Sequence, residues 1–165
     1  MFPEMRRKKQ QLSNEETEEI LRRGSHGVLA LLGNEGWPYA LPISYVYDEG
    51  RLYFHCAAAG HKLEAIAREP RASLCVVDMD EVIPELFTTA YRSAIAFGRL
   101  RVLEDREEIV RALEALCGKY SPGLDTAEEI KKHLNNVCVL EMNVEHVSGK
   151  EGLELVRRRN ADREN

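Results

Sequence analysis

Gly60, His61 and Lys62 stand together where the sequence pattern predicts the start of a short helix. The first turn of a helix leaves N–H groups unpaired and carries a partial positive charge, so it favours an anion. Gly60 lets the backbone approach that anion closely, Lys62 adds a compact positive charge, and His61 can donate a further hydrogen bond. A phosphate is a physically sensible guest, although a lysine at a helix start is often simply solvated. His55, Cys56 and His61 are near one another in the chain, but their spacing is not that of a zinc site, and no second Cys or His pair accompanies them. His55 can equally be read as a histidine packed on a strand, and His26, His133 and His146 as plain surface or core residues. Asp78, Asp80, Glu81 and Glu85 fit a solvated loop better than an acid–base pair. The sequence has no nucleophile motif, Walker loop or dinucleotide fingerprint.

The elements that must position these residues are short. Ser13 and Glu16 have the form of a capping box, and the helix they open is expected to run to Gly24 as a left-handed C-cap. Residues 28–32 read as a strand, and 37–47 as a second. Pro38 and Pro42 put that second strand at an edge or beside a break. Asp48-Glu49-Gly50 turns the chain into a third strand, 52–57, closing a hairpin. The helix at Gly60-His61-Lys62 stops before Pro70. Strands follow at 72–77 and 92–103, with 78–89 between them expected as an irregular polar loop. Asp105 with Glu108, and Thr126 with Glu129, mark two further helix starts. Residues 137–147 alternate as a half-buried strand. The whole reads as an antiparallel barrel with helical trim, mainly β or α+β. Residues 1–12 are expected as a flexible arm, 13–150 as the folded domain and 151–165 as a basic tail carrying Arg157-Arg158-Arg159.

A chain of 165 residues with 44% hydrophobic and 31% charged residues suits one globular domain. Its net charge of −5 argues against a nucleic-acid partner. No apolar run approaches the roughly 18 residues of a membrane span. The basic start is followed by no hydrophobic segment, so a cytoplasmic protein is expected. Cys56, Cys75, Cys117 and Cys138 show no CxxC spacing and read as reduced thiols.

The run from Tyr39 to Cys56, followed by Gly60-His61-Lys62-Leu63-Glu64-Ala65-Ile66 and Pro70-Arg71-Ala72-Ser73-Leu74, resembles the flavin-binding half of the pyridoxamine-phosphate-oxidase-like proteins. Tyr91 to Gly98 fits the next barrel strand. The resemblance extends over residues 1–150 and is closest to the nitroimidazole-resistance branch. It implies a six-stranded antiparallel split β-barrel with flanking helices, binding FMN in the interface of a homodimer. Pro42, Ile43, Ser44 and Tyr45 would then run beside the isoalloxazine, with Ser93 near the ring. His55 and Cys56 would approach the ribityl chain and phosphate. His61 and Lys62 would form the phosphate clamp, with His61 also the candidate catalytic residue. The implied activity is transfer of electrons to a small electron-poor acceptor such as a 5-nitroimidazole. A non-catalytic flavin- or haem-binding module, with His61 or His55 as axial ligand, is the alternative. The oxidase's C-terminal tryptophan and Arg-x-His have no counterpart, since Trp37 is the sole tryptophan. Pyridoxamine phosphate is therefore not the expected substrate.

Overall fold

Ser13 accepts a hydrogen bond from the Glu16 N–H at 3.1 Å, and the Glu16 carboxylate accepts from the Ser13 N–H at 2.8 Å. This complete capping box starts α1 (Asn14–Arg23), whose buried Thr17, Ile20 and Leu21 lie on the barrel. The computed structural model describes residues 2–164, with side chains up to Ala161. Gly24 ends α1 in extended backbone, φ −60° and ψ 129°, and not in the left-handed cap expected of it. A Cβ there would stand 2.6 Å from the Tyr45 hydroxyl, so close packing selects glycine at this position.

The chain continues as β1 (His26–Leu32), β2 (Pro38–Ser44), β3 (Val46–Asp48), β4 (Arg51–Ala57), α2 (His61–Arg68), β5 (Arg71–Ile83), β6 (Thr88–Val102), α3 (Arg106–Tyr120), α4 (Ala127–His133), β7 (Val137–Glu151) and α5 (Leu153–Glu164). The strands form one sheet in the order β2-β1-β5-β6-β7-β4-β3. Every pairing is antiparallel, so the architecture is the expected split barrel with flanking helices. The strand count is seven instead of six. Expected strand 37–47 breaks at Tyr45, whose side chain is fully buried in the core. β2 and β3 are therefore the two edges of the sheet, joined only through that residue. β2 carries Pro38 and Pro42, as the missing proline N–H groups require of an edge strand.

The expected loop at 78–89 is instead a ladder. After a bulge between Val77 and Met79, β5 and β6 stay paired from Met79↔Arg92 to Ile83↔Thr88, leaving only Pro84 to Phe87 as the turn. This arm has wet faces, so its strands lack the apolar alternation that would have marked them. The segment after Lys150, expected as a basic tail, is built into the fold. β7 continues to Glu151 and is followed by α5. The Glu151 carboxylate is fully buried between Arg92 at 3.2 Å and Arg159 at 2.8 Å. Gln10, from the amino-terminal segment, donates to the Glu151 carbonyl at 3.0 Å, and Leu12 is buried.

Asp105 caps α3 through the N–H groups of Glu107 and Glu108. Thr126 makes no side-chain cap at α4, where Asp125 accepts from the Ala127 N–H at 3.2 Å. The barrel interior is filled by residues such as Leu29, Phe54, Leu74, Leu140 and Met142. A second core, including Leu103, Leu113, Leu116, Ile130 and Val139, glues α3 and α4 to the outside of the sheet. That packing builds the roof of the site.

Candidate functional site

A chain break between two edges leaves backbone groups without ladder partners. At Tyr45 they are satisfied by a side chain from α3: the Tyr120 hydroxyl accepts from the Tyr45 N–H at 2.8 Å. The same oxygen lies 2.5 Å from the Ser25 carbonyl and 2.8 Å from that of Tyr45. Tyr45 spends its own hydroxyl on the Leu21 carbonyl at 2.7 Å, and burial pushes its phenol well above the ordinary range. Lys119 sits 4.2 Å from the Tyr45 ring and donates to the Gly24 carbonyl, and burial lowers its pKa. Tyr45 is thus the pin of the split.

Beside this pin lies a cleft of about 510 Å³. Its floor holds Ser44 from β2 with His55 and Cys56 from β4, and its roof is the α3–α4 pair. Leu113, Leu116, Ile130 and Val137 give it an apolar wall, and Tyr120, Cys117 and Asn136 complete the rim. His133 faces Glu129 at 2.9 Å, one helical turn apart on α4. The volume falls in the range of about 300–1,000 Å³ typical of sites for cofactor-sized ligands.

The start of α2 is the second part of the arrangement. Gly60 has φ 127°, a backbone conformation that favours glycine, and nothing lies within 4 Å of where a Cβ would be. No side chain caps this helix. The charge of Lys62 acts on the Cys138 thiol, which faces Cys56 across the β4/β7 ladder. Lys62 and the uncapped N–H groups therefore stand at the Cys56 end of β4. His61 turns the other way: its ring centroid is 4.6 Å from that of Tyr39, and its Nε2 points towards Gly33 on the β1–β2 turn.

Pro42 pairs with Val28, Ile43 with Gly27 and Ser44 with His26. Ser93 pairs with Val77 on one side and Lys150 on the other, whereas His55 pairs with Val139. Ser93 and His55 thus sit near opposite ends of β7 and do not meet within one chain. Pro42, Val28, Cys75 and Ile95 are successive cross-strand neighbours, so they form one row on the outer face of the sheet. Val77, at 63% exposure, belongs to the same face, and the arm beyond it ends in Phe87, which is 98% exposed. A broad apolar face is thus left open to a partner.

The sequence reading missed Tyr120, Cys117, Glu129 and His133. Only the Glu129–His133 spacing of one helical turn was visible as a signal, and it did not say what the pair would face. Among the described residues no cluster of His, Cys, Asp and Glu is arranged to hold a metal ion, and no helix is long and apolar enough to cross a membrane.

A curved antiparallel sheet, split at one residue and roofed by a helical pair over a ligand-sized cleft, defines the split-barrel class. Residues 13–151 match the family described as pyridoxamine 5'-phosphate oxidase, and the chain belongs to that family. None of the curated proteins matches it. Among solved structures it resembles a candidate 5-nitroimidazole antibiotic resistance protein from Bacteroides thetaiotaomicron. That match has 22% identity and a TM-score of 0.75 and covers 86% of each chain. It also resembles an FAD and haem binding protein from Mycobacterium smegmatis, with 26% identity and a TM-score of 0.73, over 88% of this chain and 74% of that one. An FAD-binding protein from Mesorhizobium loti has 26% identity and a TM-score of 0.63, over 86% of this chain and 96% of that one.

Proposed function

We propose that the protein binds FMN as a homodimer and acts as an oxidoreductase on a small electron-poor acceptor, of which a 5-nitroimidazole is an example. The observation that carries this reading is the pairing of an uncapped, glycine-led helix start bearing Lys62 with an apolar cleft next to it. The two halves suit the two halves of the cofactor. A phosphate needs donors and positive charge, supplied by Lys62 and the first N–H groups of α2. A flat ring system needs an apolar wall with a few polar groups to orient it, supplied by Leu113, Leu116 and Ile130 with the Ser44 hydroxyl and the β2 backbone.

Bound flavin supplies the electron chemistry, and the protein orients it and excludes competing reactions. Leu113 and Leu116 keep water from the ring, and His133, held by Glu129, is available to hold a proton at the mouth. The open row of Pro42, Val28, Cys75 and Ile95 is where a second copy packs in this reading. Ser93, on the same face, would then reach the site of the partner. His61 contributes its backbone N–H to the phosphate while its ring rests on Tyr39.

The test is an FMN titration of the purified protein, followed by sedimentation and turnover with a nicotinamide donor and a nitroimidazole. Bands near ~370 and ~450 nm mark the bound oxidised flavin. Lys62→Ala should weaken FMN binding by about 1–3 kcal/mol, roughly 5–150-fold, the worth of a charge-assisted phosphate contact. Unchanged affinity would remove Lys62 from the site. His61→Ala that keeps the flavin yet alters turnover would put the imidazole at the substrate. A second reading, a binding module without turnover, is favoured by the two histidines of the cleft, His55 and His133, either of which suits an axial haem position. A Soret band after adding haem, with no turnover by the flavin-loaded dimer, would select it.

A further inference from the structure

We infer that Cys56 and Cys138 form a reversible cross-strand disulfide, with a small-molecule disulfide as the oxidant. Strand register places the two cysteines together whether or not a flavin binds. Cys56 on β4 lies directly opposite Cys138 on β7. Two bonds fix which edge of β7 each residue presents. The Val139 carbonyl accepts from the Leu103 N–H at the end of β6, and the Val144 N–H donates to the Gly50 carbonyl on the β4 side. Backbone groups alternate along a strand, so Cys138, an even number of residues from Val144, turns its N–H and C=O to β4. Cys56 and Cys138 are therefore a hydrogen-bonded antiparallel pair, for which the Cα atoms are ~5.5 Å apart. Disulfides span Cα separations of about 4.4–6.8 Å, most often near 5.5–6 Å. The ladder sets a Cα separation within the disulfide range, while the Cβ atoms of a hydrogen-bonded pair, up to ~5.5 Å apart, must close to the ~3.5–4.5 Å of the bond, which strains it and makes it easily reduced.

The side chains agree with the backbone. Both belong to the core-facing set of their strands, so as directly opposed residues their side chains lie on the same face. Their environments differ in a useful way. Cys138 is buried, whereas Cys56 is half-buried and is the one a solute reaches first. Burial, and then the facing Cys56 thiol, push Cys138 up to about 11, while the Lys62 charge pulls it down. Burial, the largest cause, persists once Cys56 is derivatised, and the Lys62 charge remains the group that favours the Cys138 thiolate.

The chemistry balances in two exchanges. The Cys56 thiolate attacks one sulfur of the small disulfide, forming a mixed disulfide and releasing one small thiolate. The Cys138 thiolate then attacks the Cys56 sulfur, forming the Cys56–Cys138 bond and releasing the second small thiolate. Both protein protons pass through solvent to the released thiolates, so two thiols are oxidised and one disulfide is reduced.

The experiment uses the full chain with oxidised and reduced glutathione in varied ratio. Samples are quenched in acid, alkylated and mapped by mass spectrometry. The expected result is a linked Cys56–Cys138 peptide pair with the loss of two hydrogens, reversed by dithiothreitol. Cys75 and Cys117 should stay alkylatable. Cys138→Ala should accumulate a glutathione adduct on Cys56, and Cys56→Ala should leave Cys138 unmodified. A link between Cys56 and Cys117, or four alkylatable cysteines in fully oxidised buffer, would overturn the inference. So would a folded Cys138→Ala variant without an adduct. Should either variant fail to fold, the wild-type map alone decides between these results.

Discussion

Tyr120→Phe removes a single oxygen from the place where the barrel is split. That oxygen accepts from the Tyr45 N–H at 2.8 Å and lies within hydrogen-bonding distance of the Ser25 and Tyr45 carbonyls. Tyr45 is fully buried, so its N–H has no ready substitute. A buried donor left unsatisfied costs about 1–3 kcal/mol. Tyr120 itself is 41% exposed, and its neighbour Ser25 is open, so water can take over part of the lost role. The expected loss is therefore in the lower part of that range, about 1–2 kcal/mol. For a domain of this size each kcal/mol lowers the melting temperature by about 2–4 °C, giving a fall of roughly 2–8 °C. Urea unfolding checks the figure directly, because an unchanged m-value shows that only stability has moved. Loss of the hydroxyl should also loosen the α3 wall of the cleft, so FMN affinity should fall with it. A variant that melts and unfolds with the wild type would refute the idea that this phenol closes the split.

Two further outcomes follow from buried charge and burial. Glu151→Ala removes the buried carboxylate that Arg92 and Arg159 share, but both arginines are about a third exposed and reach water, so it should cost about 1–3 kcal/mol by denaturant unfolding, with α5 and the amino-terminal segment losing amide protection first. Near-wild-type stability would mean that the two arginines find other partners. The second outcome concerns pH. Cys138 is pushed from the ordinary thiol value of 9.0 up to about 11, so the fold favours the protonated thiol. Its contribution is complete below the unfolded value and is lost as pH rises through 9 to 11. Lys119, lowered by burial, acts in the opposite sense at alkaline pH, so the useful quantity is a difference. Cys138→Ala should lose stability less steeply than the wild type across that window, and parallel curves would count against the assignment.

Local chemistry was legible in the sequence wherever a few neighbouring residues decide the outcome. Ser13 and Glu16 cap α1 because their partners are three residues apart. The two prolines of β2 announced an edge, and β2 is an edge of the sheet. Gly60 and Lys62 announced a helix start with room for an anion, and that start is open and uncapped. What could not be read were contacts made by residues far apart in sequence. Gly24 was readable as a helix-ending glycine but not as a close contact of the Tyr45 hydroxyl, 21 positions later in the chain. The β5–β6 arm was concealed because strands with wet faces need no apolar alternation. The tail beyond Lys150 read as basic, yet the buried Glu151 ties it to Arg92 through its carboxylate and to the amino-terminal Gln10 through its backbone carbonyl.

The cleft shows the same division most sharply. Its floor comes from β2 and β4, which lie near opposite ends of the sheet order, and Ser44, His55 and Cys56 were placed together only through the family resemblance. Its roof comes from helices entering the chain some sixty residues later, and only packing of Leu113, Leu116 and Ile130 on the outer sheet brings Tyr120 and His133 over that floor. In the proposed reading, the phosphate end would be encoded locally in α2 and the acceptor end in α3 and α4. On that reading, changes in α4, at Glu129 or His133, should alter which acceptor fits while FMN affinity, set by the Gly60-Lys62 start, stays unchanged.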